Sequence, residues 1–278
     1  MVNEADAFLR CVIVQSDQEN QMPDDASTGD EELAEATEGP VRILTFQRSA
    51  RRNALSAPLM VRLEAALRAA QEADDIRAVV LWGVGGHFSS GGDATSILDA
   101  IDGPEGSIPH LMRRYQSVVK AIWSSPLPVI AAVDGVAFGG AFNLALACDL
   151  VLCTPTSRFC QVFSQRGLVP DMGGAFLLPR LVGMQRAKAL MFFATEIGAQ
   201  QALELGIVNE LVADGEVRAR AVELGCRLAA LSSTAVSMTK QLLNASVGDL
   251  GNALEMEAVA QHIALSTPAA KSGFERFR

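Results

Sequence analysis

The sequence has no CxxC pair among its five cysteines (Cys11, Cys148, Cys153, Cys160, Cys226), and their number is odd. That argues against a disulfide framework and a cysteine-based metal site, and no metal is expected. Three of the cysteines fall in apolar runs, where a free thiol behaves as a small hydrophobe, so a reducing, cytoplasmic setting is expected. Histidine is scarce (His87, His110, His262), and although Ser89 and Ser90 stand near His87, nothing completes a nucleophile–base set around it. There is no Walker sequence and no GxSxG elbow. Gly83-Val84-Gly85 is followed by Gly86-His87-Phe88, which does not complete a GxGxxG fingerprint. No basic region precedes an apolar core at the N-terminus, so no secretory signal is expected. The longest apolar window, 127–148, is cut by Asp134, glycines and Asn143 and reads as core, with no membrane span expected. A basic excess is also lacking. The formal net charge is −9, which disfavours nucleic acid as a partner.

Nine acidic residues lie between Ser16 and Pro40, where no Lys or Arg occurs, and the remainder of the chain is close to neutral. Residues 1–40 therefore read as an N-terminal strand (Phe8–Val14) followed by an acidic, disordered insertion over 16–40. From Val41 onward short apolar runs alternate with helical patterns: strands at 41–46, 78–83, 150–153, 158–161 and 207–212, and helices at 58–72, from about Asp93, 110–124 and 198–205. This alternation predicts an α/β fold with largely parallel pairing over 41–212, closed by a helical region over 213–278.

The stretch Ile130–Asp149 organises the rest. An apolar, strand-like run breaks at Asp134-Gly135, and Gly139-Gly140 then opens a helical pattern. The start of a helix leaves backbone N–H groups unsatisfied and carries partial positive charge, which suits an anion. Glycines there let another molecule approach the backbone without meeting a Cβ.

FSSGGD (Phe88–Asp93) together with IAAVDGVAFGGAFNLALACDLVL (Ile130–Leu152) resembles the paired signature of the enoyl-CoA hydratase/isomerase (crotonase) superfamily. RNALS (Arg52–Ser56), GLVPDMGGAFLLPRLVG (Gly167–Gly183) and ALELGIVNELV (Ala202–Val212) match it in the same order. The resemblance implies a crotonase-like spiral of ββα units with an α-helical C-terminal region that builds trimers, often paired into hexamers. It also implies an acyl-CoA thioester ligand, with coenzyme A as part of the substrate and no separate cofactor. Carried over by position, Gly92 and Gly140 supply an oxyanion hole of two backbone N–H groups, each worth about 3–4 kcal/mol to a developing enolate. Arg52, Ala54, Ser90, Gly91, Asp93, Gly139, Asn143 and Phe163 fall at substrate-binding positions. One of Arg48, Arg51 and Arg52 is expected to meet the CoA phosphates, with Lys240 and Lys271 as further candidates.

Membership leaves the reaction open. A typical hydratase of the family carries two glutamates, which align with Asn143 and Phe163. Neither an amide nor a phenyl ring exchanges protons near neutral pH. Asp171, in VPDMGG, sits where hydratases have glycine and where isomerases of the family carry a catalytic carboxylate. Shifting a double bond needs one group to take a proton from C2 and return it at C4, and one carboxylate suffices. Phe163, Met172 and Phe138 are expected to desolvate Asp171 and raise its pKa. A blander role is N-cap of a helix starting near Met172. The expected activity is an enoyl-CoA isomerisation. The alternatives are an enoyl-CoA hydratase of fatty-acid β-oxidation, or a catalytically weak acyl-CoA binder.

Overall fold

Strands whose apolar runs are unbroken must be covered on both faces, and the central strands of this chain are built that way. The computed structural model describes residues 32–245 together with Val259, residues 261–263 and Thr267. The expected strand at Phe8–Val14 and most of the last expected C-terminal helix lie outside the described residues. The first strand, β1 (Leu33–Glu38), turns antiparallel into β2 (Val41–Phe46), and Leu33 is buried. This corrects the expectation of a disordered insertion running to residue 40. LAEATE has little apolar alternation of its own, and its pairing draws on ion pairs of Glu35 with Arg42 and of Glu38 with Arg218.

Helix α1 (Ala57–Glu72) is capped by Ser56, whose hydroxyl accepts from the Leu59 N–H, and leads into β3 (Ala78–Gly83). Helices α2 (Ala94–Asp102) and α3 (Ser107–Trp123) follow, then β4 (Val129–Val133). At Asp134-Gly135 the chain leaves the first sheet and forms β5 (Val136–Phe138) of a second one. The turn requires glycine: φ at Gly135 is +53°, and a Cβ there would lie 2.1 Å from the Gly86 carbonyl oxygen. Helix α4 (Gly140–Ala147) begins directly after β5, and β6 (Leu150–Cys153) and β7 (Arg158–Cys160) repeat the two-strand step. The remainder is α5 (Gly174–Val182), α6 (Met184–Phe193), β8 (Ile197–Gly198), α7 (Ala199–Glu204), β9 (Glu210–Leu211), α8 (Val217–Ala229) and α9 (Ser233–Ala245).

The larger sheet runs β1-β2-β3-β4-β6-β9, parallel from β2 onward; the smaller runs β5-β7-β8. Alternation along β2, β3 and β4 divides the core. Leu44, Val79, Leu81 and Ala131 face α1 and α3, whereas Ile43, Val80 and Ile130 face α8. Gly225 lets α8 lie close, since a Cβ there would stand 2.8 Å from Val41 Cγ2. Among the described residues no helix is long and apolar enough to cross a membrane.

Candidate active site

Two backbone amides converge where the loop before α2 meets the start of α4. Leu55 pairs with Gly92 as a short parallel bridge, its N–H donating to Gly91 O (2.8 Å) and its carbonyl accepting from Asp93 N–H (3.0 Å). The intervening Gly92 N–H therefore points to the other side, into a cavity. Gly140 is the first residue of α4, so its N–H has no acceptor within the helix. A Cβ erected on Gly140 would stand 4.0 Å from Gly92 N and 3.6 Å from Asp171 Oδ1. Gly91 (φ +97°) leaves room for the Phe138 carbonyl oxygen, which a Cβ would approach to 2.5 Å.

Asp171 closes the third side. Its carbonyl accepts from Gly174 N–H (2.9 Å) and from Asn143 Nδ2 (2.9 Å), which fixes the loop ahead of α5. Its carboxylate oxygen Oδ1 is buried and has no hydrogen-bond partner among the described residues. Burial pushes the carboxyl up from 3.8 to about 6, against a smaller opposing effect from its own backbone. The N-cap reading does not hold: α5 starts at Gly174, its cap is Gly173, and no side chain caps it. Of the expected desolvating neighbours, Phe163 lines the cavity, and Met172 is buried outside the lining with its sulfur 3.1 Å from a Cβ placed on Gly140. Phe138 is not part of the lining.

The cavity holds roughly 540 Å³ of space continuous with solvent. It brings together Ser90, Gly91, Gly92, Gly139, Gly140, Phe163 and Asp171, all expected from the sequence. Arg52, Ala54, Asp93 and Asn143, also expected at substrate-binding positions, do not line it. Arg52 sits exposed in the left-handed region (φ 48°), and its carbonyl accepts from Ser90 N–H. Ala54 is buried beneath, its carbonyl taken by Arg48. Asp93 caps α2 by accepting from Ser96 N–H (3.0 Å) and pairs with Arg48 (3.0 Å). Arg48, paired on its other side with Glu32 (2.8 Å), is committed to holding this loop and is not turned to a phosphate. Asn143 is fully buried behind Asp171. Lys240 is likewise engaged, donating to Asp149 (2.7 Å) and to Leu127 O (2.9 Å).

Sequence reasoning missed Ile97, Met112, Tyr115, Val162, Arg166 and Leu168, which complete the lining. Tyr115 carried a signal: it is the sole tyrosine and falls on the apolar face of α3 with Leu111, Val118 and Ile122. Its hydroxyl donates to Leu55 O, and burial together with the nearby Asp171 and Asp93 charges raises its pKa further, so it stays protonated. Gln161 was also missed. It is 1% exposed, and its Nε2 donates to Asn143 Oδ1 (2.7 Å). A lone glutamine in RFCQVF gives little local warning of such a role.

Two convergent N–H groups, a carboxyl whose pKa is raised by burial and a largely apolar wall form a site chemically suited to an anionic oxygen with an acid/base group beside it. Residues 36–278 match the family model described as enoyl-CoA hydratase/isomerase, and the chain belongs to that family, the crotonase superfamily, with its acyl-CoA-processing fold. A Rhodobacter capsulatus protein named "Probable enoyl-CoA hydratase" is 41% identical over 194 residues, covering 68% of this chain and 73% of that one. The 1,2-epoxyphenylacetyl-CoA isomerase of Escherichia coli is 33% identical over 242 residues, covering 85% and 91%. A solved Thermobifida fusca structure, named for enoyl-CoA hydratase and bound to acetoacetyl-CoA, superposes with a TM-score of 0.76 at 31% identity, covering 84% of this chain and 95% of its own.

Proposed function

We propose that this enzyme shifts a double bond in an enoyl-CoA thioester, with Asp171 as the proton shuttle and the Gly92 and Gly140 N–H groups as the oxyanion hole. The observation that carries this reading is the Asp171 carboxylate itself: buried, unpartnered at Oδ1, 3.6 Å from a Cβ placed on Gly140, and the only carboxylate lining the cavity among the described residues. Ionised Asp171 takes a proton from C2 of a 3-enoyl thioester. The electron pair passes into a dienolate whose oxygen is held by the two N–H groups. The neutral carboxyl then returns the proton at C4, leaving the conjugated 2-enoyl ester. Coenzyme A enters only as part of the substrate, and the reaction needs no separate cofactor. Exposed apolar side chains on α5 and α6 (Phe176, Leu181, Met184, Phe192, Phe193) support assembly into a homotrimer or hexamer.

Hydration is the second reading, favoured by the name of the 41% identical relative. It must both activate a water and protonate Cα, and the cavity offers one carboxylate for two tasks. The test is formation of conjugated thioester from 3-enoyl-CoA by wild type and Asp171→Asn, with crotonyl-CoA hydration measured alongside. Loss of the acid/base group should cut isomerisation by about 10²-fold or more, with ester binding retained. Hydration by the wild type without isomerisation would replace this reading with the second, and tight binding with no turnover would point to a binder.

A further inference from the structure

Asn143 and Gln161 are sealed inside the molecule, 0% and 1% exposed, and neither reaches the cavity. They form a line of hydrogen bonds that ends at the base: Gln161 Nε2 donates to Asn143 Oδ1 (2.7 Å), and Asn143 Nδ2 donates to the Asp171 carbonyl (2.9 Å). Asn143 lies three residues beyond Gly140 on α4, so one short helix carries both an oxyanion donor and the support of the base. The opposite side of the contact is shaped to match. A Cβ on Gly174 would fall 2.3 Å from Asn143 Oδ1 and 2.4 Å from Nδ2, so only glycine lets the loop close on the amide. An amide is required because it accepts at one end and donates at the other without charge. An ionised carboxylate could not donate to the carbonyl and would add a like charge behind Asp171. Leucine would leave Gln161 Nε2 without its acceptor and the Asp171 carbonyl with the Gly174 N–H alone.

We propose that Asn143 and Gln161 are positioning residues that hold the Asp171 carboxylate toward the Gly140 end of the cavity with Oδ1 free of a partner. This rests on the reading of Asp171 as the base. A loop freed from Asn143 can tilt, letting water or a donor reach Oδ1 and bringing the carboxyl down toward the usual range. The other charged or titratable groups around it are Tyr115 from α3 and Arg166 from the turn after Phe163, with the Arg48–Asp93 pair before α2 beyond Tyr115. Helix α4 contributes none.

The experiment measures kcat and KM for a 3-enoyl-CoA from pH 4 to 9 in Asn143→Leu, Gln161→Met and Asp171→Asn, each in the full chain. Asn143→Leu should lower kcat by about 10–10²-fold with KM nearly unchanged, because the base is misplaced while the cavity is not. The acid limb of kcat/KM should move down by about half a pH unit or more as Oδ1 gains solvent. Gln161→Met should show both effects in weaker form, and it carries the readout if Asn143→Leu does not fold. A folded variant with wild-type kcat and acid limb overturns the proposal, as does a lower kcat with the limb unmoved, which marks a merely structural defect. Full activity in Asp171→Asn would instead remove the reading of Asp171 as base.

Discussion

Replacing Asp171 with asparagine should stabilise the protein near neutral pH, whatever it does to turnover. Burial raises this carboxyl from 3.8 to about 6. A tenfold change in proton affinity corresponds to about 1.4 kcal/mol, so ionisation above both values costs the folded state at most about 3 kcal/mol. Oδ1 is sealed but the residue keeps some exposure, and about 1–3 kcal/mol is the expected range. The sign follows from where the proton is held more tightly, which is in the folded state. The penalty is therefore absent below about pH 4, grows in between about 4 and 6, and is complete above 6. Asparagine is neutral throughout, so the advantage of the variant should follow the same curve. Urea unfolding of both proteins at fixed concentration, at pH 4 and at steps to pH 8, reads it directly. A difference independent of pH, or a variant less stable at pH 8, would refute the argument, because either means that Oδ1 has solvent or a donor beside it.

Gly140→Ala should place a methyl 3.6 Å from Asp171 Oδ1 and 3.1 Å from Met172 Sδ, beside the proposed oxyanion hole. A kcat about 10²-fold lower with little change in melting temperature is expected, and a wild-type rate would remove Gly140 from the oxyanion hole. Lys240→Met should lose roughly 3 kcal/mol of stability, because Lys240 is 6% exposed and bonded to Asp149 and Leu127 O. Its KM for the ester should not change, whereas a raised KM with unchanged stability would return Lys240 to coenzyme A binding.

What could be read in the sequence were features whose cause is local. Buried strands appear as unbroken apolar runs at 78–83 and 129–133, the start of α2 as Asp93, and the close approach of two loops at the cavity as the glycine pairs Gly91-Gly92 and Gly139-Gly140. Misread features depend on partners far along the chain. Leu33–Glu38 becomes a strand because Arg42 and Arg218 meet its glutamates, and Arg218 is 180 residues from Glu38. Asp93 is turned to the Ser96 N–H and Arg48, and Asn143 to Gln161 and the Asp171 carbonyl, and the direction of a side chain is set by packing that no spacing records. Arg48 looks like a phosphate ligand until Glu32 and Asp93 are seen on either side of it.

Asn143 changes meaning most between sequence and structure. Set against a family pattern with two glutamates, an amide at 143 reads as a lost catalytic group. In place, it is held at both ends, buried completely, and faced by a glycine with no room for any side chain. A carboxylate there would have to bury a second charge behind a carboxyl already raised by burial, and the two would oppose each other's ionisation. The arrangement therefore suits one base rather than two. Chemistry confined to removing and returning a single proton fits the cavity without further groups, while hydration would have to draw its second proton transfer from water alone.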